Sequence, residues 1–368
     1  MVDSGEIDSL FDRVLELAKK GWGNTHPNPM VGALIVENGQ VVAEGFHERA
    51  GSLHAEVAAF SELGRKPREG ATLFVSLEPC STHGRTPPCT DAIINSGIKQ
   101  VYVGCSDPNP EHSNRGLEIL RESGVSVHLA PKNIQDRASR LNFIFNHQIT
   151  TGKGLVALKM AESANGMITE NLGEPSRITE DTARADVMKW RRLFSAICVG
   201  SGTVLIDDPS LTSRIEVETW CPVRLVVDSH LATLDRDITT RKLYSDQFVD
   251  RTHILTTSGL QDKERVQRAQ DLGVHLIEVP SFENGKILPE SIRFTLNQFQ
   301  LNSIYCEGGA SLARFLLEAG EIDYLFRYRS PKVFDESNGV ASPNFDQYTL
   351  THSLKQKLGE DRLIHGFL

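Results

Sequence analysis

One imidazole, two thiols and one carboxyl stand at spacings that could hold and use a metal ion. They are His54 and Glu56 in "HAE", then Cys80 in "LEPCSTHGRTPPC" and Cys89 at that segment's end, with eight residues and two adjacent prolines between the sulfurs. A disulfide, a metal site or plain packing could explain two thiols on so stiff a loop. Zinc takes nitrogen and sulfur donors, and three protein ligands with a fourth position left for water mark a catalytic site. One His and two thiolates cancel the charge of Zn2+, and water bound there ionises near neutral pH. Glu56, two residues past His54, can stand beside the metal without binding it, and can carry a proton from water to a leaving amine.

The elements that must place these residues are legible from periodicity. His54 opens "HAEVAAFSEL" (54 to 63), which has helical spacing; Pro79-Cys80 follows the apolar run "ATLFVSL" (71 to 77); Cys89 opens "CTDAIINSG", closed by Gly97. "VGALIV" (31 to 36), the turn signal Asn38-Gly39 and "VVAEG" predict a hairpin. "QVYVGC", "GLEILRESG" and "VSVHLA" continue an alternating strand–helix series, which favours a sheet covered on both faces. "MVDSGEIDSLFDRVLELAKK" places Ile7, Leu10, Phe11, Val14, Leu17 and Ala18 on one face of an amphipathic helix and is too acidic for a signal peptide. Near Thr150 to Gly154 the pattern breaks, and "LVALKM" starts a second α/β series with strands in "SAICVG", "VRLVVD", "THILTT", "VHLIEV", "SIYCEG", "YLFRYR" and "RLIHGFL". Two domains are expected, residues 1–149 and 150–368, as a chain of 368 residues suggests.

The bulk composition narrows the function. Hydrophobic content is 39%, charged content 24% and net charge −9, values of a globular chain with no general affinity for nucleic acid. No apolar run approaches the ~20 residues of a membrane span. Six scattered cysteines without an export signal argue against a disulfide framework and for the cytoplasm. The disulfide explanation weakens, and the combination of HAE, P-C after a strand and Cys at a helix start favours the metal. H-x-E with P-C and a second Cys is the pattern of zinc deaminases.

Beyond these residues, the chain resembles a known family along nearly its whole length. "THPNPMVGALIV", "GFHERAGSLHAEVAAF", "LEPCSTHGRTPPC" and "DPNP" are similar to the deaminase half of the bifunctional riboflavin-biosynthesis deaminase–reductases. "LKMAESANGMI", "VGSGTVLIDDPSLTSR", "VDS", "EGG" and "LGEDRLIHGFL" are similar to the reductase half. The long loop between the cysteines is the most specific feature, because tRNA-adenosine and cytidine deaminases use a short Cys-x-x-Cys. The resemblance implies an α/β protein, with a cytidine-deaminase-like α/β/α domain followed by a dihydrofolate-reductase-like domain. It implies Zn2+ and NADPH, a phosphorylated pyrimidine substrate and a homo-oligomer. His54, Cys80 and Cys89 would be the zinc ligands and Glu56 the proton carrier. Asn28, His47 and Arg85 match substrate positions, and His83 is a further candidate next to Thr82, where many members have His.

In the second half, Gly200 and Gly202 after a strand tempt a dinucleotide-fingerprint interpretation, but Leu205 stands where the third Gly belongs. By resemblance, Ala161, Thr203, Asp207, Ser229 and Gly309 match cofactor positions. Lys159, Arg191, Leu211, Arg214 and Glu307 match substrate positions, whose cations would hold a phosphate. This chain departs from the family at Asn165, Pro175, Arg177 and Asp335. Pro175 replaces a substrate-contacting Ser, and Arg177 replaces a Trp that packs on the cofactor; Arg177 could instead meet the cofactor's 2′-phosphate. These departures leave a second possibility, a deaminase whose C-terminal domain serves assembly.

Overall fold

In the computed structural model, residues 4–83, 87–110, 113–215, 218–235, 240–259 and 262–368 are described. They divide into two units, 1–153 and 154–368. The first unit runs α1 (Ser4–Lys19), β1 (Gly32–Glu37), β2 (Gln40–Phe46), α2 (Ala55–Leu63), β3 (Thr72–Leu77), α3 (Cys89–Ser96), β4 (Gln100–Cys105), α4 (Arg115–Glu122), β5 (Ser126–Leu129), α5 (Lys132–Leu141) and α6 (Phe143–Thr151). Its strands lie in the order β2-β1-β3-β4-β5. β1 is antiparallel to both neighbours, while β3, β4 and β5 are parallel.

Strand alternation decides what each face of that sheet carries. Ala33 and Ile35, Leu73 and Val75, and Val101 and Val103 pack with α2, α3 and α4 through Ala59, Ile93, Leu117 and Leu120. Leu34, Phe74 and Tyr102 face the other way, against Phe11, Val14 and Leu17 of α1 and Ile134 of α5. The result is the three-layer arrangement that the sequence predicts. Helices α5 and α6 fill a stretch where the sequence pattern names no element.

The second unit runs β6 (Leu155–Glu162), β7 (Met167–Thr169), α7 (Asp181–Leu193), β8 (Ala196–Gly200), α8 (Ser201–Asp207), β9 (Ser213–Ile215), β10 (Glu218–Trp220) and β11 (Val223–Val227). It continues with α9 (Lys242–Ser245), β12 (Thr252–Thr257), α10 (Lys263–Leu272), β13 (His275–Val279), α11 (Ser291–Gln298), β14 (Ser303–Cys306) and α12 (Ala310–Glu318). It ends with β15 (Tyr324–Arg329), β16 (Val340–Ala341), β17 (Thr351–Leu358) and β18 (Asp361–Phe367). Nine strands form one sheet in the order β13-β12-β11-β8-β14-β6-β15-β18-β17, with parallel pairing up to β15 and antiparallel pairing after it. β17 carries no hydrophobic alternation, and seven of its eight residues are exposed; it exists because β18 offers an edge across a tight turn at Gly359, φ 65°.

One buried group in this unit sets a pH limit. His365 is 6% exposed, its Nδ1 accepts from Tyr324 Oη at 2.7 Å, and burial lowers its pKa to about 4. The unfolded chain therefore binds more protons than the folded one between about pH 6.5 and pH 4, so stability falls as pH drops through that window. The expected loss from this group is about 3 kcal/mol. Denaturant midpoints of the full chain from pH 7 to pH 4 test this, and His365→Leu should flatten the slope in that range.

Candidate active sites

Four chain segments reach one edge of the first sheet. β3 and β4 end there, and β1, antiparallel to β3, begins there; β2 ends opposite the start of β1, where Gly32 pairs with Phe46. The segment before β1 brings Asn28, the one after β2 brings His47, and the one after β3 brings Pro79-Cys80. Gly45 lets α2 lie against β2, because a Cβ there would collide with the Ala55 carbonyl and the Ala59 nitrogen. Helix α2 starts directly after His54, with Glu56 in its first turn, and α3 starts at Cys89.

His54 Nδ1 and the sulfurs of Cys80 and Cys89 lie within 4.8 Å of one another. Nδ1 is 3.3 Å from Cys89 Sγ and 3.5 Å from Cys80 Sγ, and the Cys89 backbone N–H donates to Cys80 Sγ at 3.3 Å. A hydrogen bond from the Cys89 thiol is the main cause that pulls the Cys80 thiol down to about 4, and supplying that bond drives the Cys89 thiol up. Its contact with Cys80 raises His54. One nitrogen and two sulfurs, one already favouring the thiolate, fit zinc. Glu56 is 3% exposed, and burial raises its carboxyl to about 7.

His47 is 3% exposed, and both ring nitrogens are engaged. Nδ1 donates to the Leu53 carbonyl at 3.0 Å, so Nε2 accepts from Asn28 Nδ2 at 3.1 Å. His47 thus orients the Asn28 amide. His83 sits apart from these groups on the surface, 4.0 Å from Asp91. Arg85 lies outside the described residues.

In the second unit, Glu307 gathers two of the three predicted cations. Arg191 grips it bidentately, Nε to Oε1 at 2.5 Å and Nη2 to Oε2 at 3.0 Å, and Lys159 Nζ is 3.8 Å from Oε2. Burial would raise the Glu307 carboxyl, but Arg191 and Lys159 outweigh it and hold it below the ordinary range. Burial lowers Lys159, opposed by Glu307 and also by Asp207, which ties Asp207 to the cluster. Arg191 Nη1 donates to the Thr212 carbonyl at 2.9 Å and so fixes the segment holding Leu211, which is 1% exposed at φ 50°. A buried leucine in the left-handed region is strained, a condition that concentrates at functional sites. Arg214 is exposed on β9. A Cβ on Gly309 would lie 3.6 Å from Thr203 Oγ1, so those two residues adjoin. Ala161 on β6 pairs with Tyr328. Ser229, after β11, accepts from Thr256 and Thr257 through its carbonyl and from the Ile287 N–H through Oγ.

The departures also find places. Arg177 is exposed and paired with Asp181 at 2.8 Å. Asn165 Nδ2 donates to the Phe334 carbonyl and Glu336 Oε1, and its Oδ1 accepts from Phe334 N–H. An aspartate could not make the two donations, so Asn suits this chain's turn. Ser176, beside Pro175, accepts from Glu170 N–H at 3.0 Å. The structure gives no account of Asp335 beyond its bonds to Ser337. Sequence reasoning missed Asp186, which accepts from Trp190 Nε1 and Tyr328 Oη, and Glu78; neither sits in a spacing that signals chemistry.

A deaminase-type first unit and a reductase-type second unit define a two-domain enzyme class. Residues 5–105 match the cytidine and deoxycytidylate deaminase zinc-binding region, and residues 155–360 match the RibD C-terminal domain. The riboflavin biosynthesis protein RibD of Actinobacillus pleuropneumoniae is 39% identical over 96% of this chain and 93% of its own length. That of Escherichia coli K12 is 37% identical over 96% and 97%. Among solved structures, the Thermotoga maritima diaminohydroxyphosphoribosylaminopyrimidine deaminase/5-amino-6-(5-phosphoribosylamino)uracil reductase superposes with a TM-score of 0.80 at 31% identity, covering 98% of each chain. Acinetobacter baumannii RibD gives 0.78 at 31%, covering 100% of this chain and 99% of that one. The chain belongs to the RibD family of riboflavin biosynthesis proteins.

Proposed function

We propose that the protein catalyses two consecutive reactions. It hydrolyses the 2-amino group of 2,5-diamino-6-ribosylamino-4(3H)-pyrimidinone 5′-phosphate, releasing ammonia, and then reduces the ribosyl chain of the product to ribityl with NADPH. The observation that carries the first step is the convergence of His54 Nδ1 and two sulfurs beside the buried carboxyl of Glu56. Zinc held by His54, Cys80 and Cys89 would supply the Lewis acidity that makes water nucleophilic near neutral pH. Glu56, with a carboxyl raised to about 7, suits a group that accepts a proton from water and returns it to the departing amine. Asn28, oriented by His47, keeps its amide oxygen for the pyrimidine edge.

For the second step bound NADPH would supply hydride to C1′, and Ala161, Thr203, Asp207, Ser229, Gly309 and Arg177 are the residues that would hold it. Arg191 is spent on Glu307 and the Thr212 carbonyl, so it orders the site, and Lys159 and Arg214 are the cations left to meet the substrate phosphate. Relatives matched along both halves favour two activities over a deaminase with an assembly domain. Purified protein should release ammonia from the diaminopyrimidinone and then oxidise NADPH. Chelating the metal should stop ammonia release while leaving NADPH oxidation with the deaminated intermediate intact. Ammonia without NADPH oxidation would reduce the function to the first step.

A further inference from the structure

Glu78 is 6% exposed and stands directly before Pro79-Cys80, yet its carboxylate serves a different segment. Oε2 accepts the backbone N–H of Asp107 and of Asn114, each at 3.0 Å, and Oε1 accepts that of Gly116 at 2.9 Å. Its own N–H donates to the Cys105 carbonyl at 2.8 Å, which locks the ends of β3 and β4 together. Gly116 completes the joint, because a Cβ there would run into the Pro79 carbonyl. A carboxylate bonded to three backbone amides, two of them at the start of α4, is held in one geometry by charge-assisted bonds.

Residues 106–110 follow β4 and therefore lie at the same sheet edge as Asn28, His47 and Cys80, where parallel α/β sheets bind ligands. Asn109 N–H donates to Asp107 Oδ1 at 2.8 Å, so this segment has a defined turn of its own. It contains none of the metal-ligating residues. We propose that Glu78 is a positioning residue for deamination, fixing residues 106–110 as a substrate-binding wall beside the cysteine loop. The inference rests on the deaminase function proposed above. Displacing the wall weakens substrate binding without touching the proton carrier Glu56, so the effect falls on KM.

The full-length protein is compared with Glu78→Gln and Gly116→Ala. Gln keeps the shape but turns an N–H2 group toward one set of backbone donors, and Ala pushes Pro79 away while leaving the carboxylate. Both should raise the deaminase KM by about 10- to 100-fold with kcat within about threefold. Zinc should stay at one per chain, and NADPH oxidation with the deaminated intermediate should be unchanged. Amide exchange at Asp107, Asn114 and Gly116 should quicken in Glu78→Gln. A wild-type KM in either variant overturns the proposal, as does loss of zinc from Glu78→Gln, which would put Glu78 in the service of the metal loop. If Glu78→Gln does not fold, the KM of Gly116→Ala decides. If the unaltered protein releases no ammonia, the deaminase function fails, and exchange at the three amides still judges Glu78: unchanged rates refute it.

Discussion

Glu56→Gln should cut ammonia release by about 10²- to 10⁴-fold, the span that a positioned proton carrier contributes. The amide has nearly the volume of the acid, so a site only 3% exposed accommodates it. Burial already favours the uncharged carboxyl, since it raises the group to about 7, and a neutral amide costs the fold little. The variant should therefore bind zinc as before and oxidise NADPH with the deaminated intermediate at the normal rate. Metal analysis beside the two assays separates the outcomes. Retained turnover with full zinc would show that Glu56 carries no proton, and loss of zinc would show that it helps hold the ion.

Glu307→Ala should have the opposite distribution. It leaves Arg191 and Lys159 buried together without a counter-charge, where before Arg191 had two hydrogen bonds to the carboxylate and Lys159 stood 3.8 Å away. Removing one member of a buried ion pair costs about 3–5 kcal/mol. Arg191 also fixes the Thr212 carbonyl, so its release should loosen the segment containing the strained Leu211. NADPH oxidation should fall by at least about 100-fold, consistent with a misplaced site. The denaturation transition of the full chain should shift to lower denaturant, while ammonia release at low denaturant persists. An unchanged transition would mean that solvent or a rearranged carboxylate compensates the two cations.

Much of the first site was legible because its signals are local. HAE at a helix start, P-C after an apolar strand and Cys at the next helix start are each patterns of a few residues, and the hairpin and helices that place them follow from strand alternation and helical periodicity. Asn28, His47 and the reductase residues came from resemblance, since single polar residues carry no period. The work of His47 was not legible. Its tautomer and its hold on Asn28 depend on the Leu53 carbonyl, whose direction is set by the turn before α2. Likewise Arg191, expected to hold phosphate, is bound to a carboxylate 116 residues away.

Residue order alone settled the two α/β series, the strand and helix assignments around both cysteines, and the chemistry that an imidazole, two sulfurs and a carboxyl can perform. Tertiary structure alone decided which strands are neighbours, and hence that four segments meet at one sheet edge and that Glu78 joins two of them. It also decided that the polar segment 351–358 is a strand, because its backbone bonds to β18 rather than burying a face. The division has one physical cause: side-chain periodicity is written within a few residues of chain, whereas hydrogen bonds and ion pairs between distant segments exist only after the backbone has closed around them.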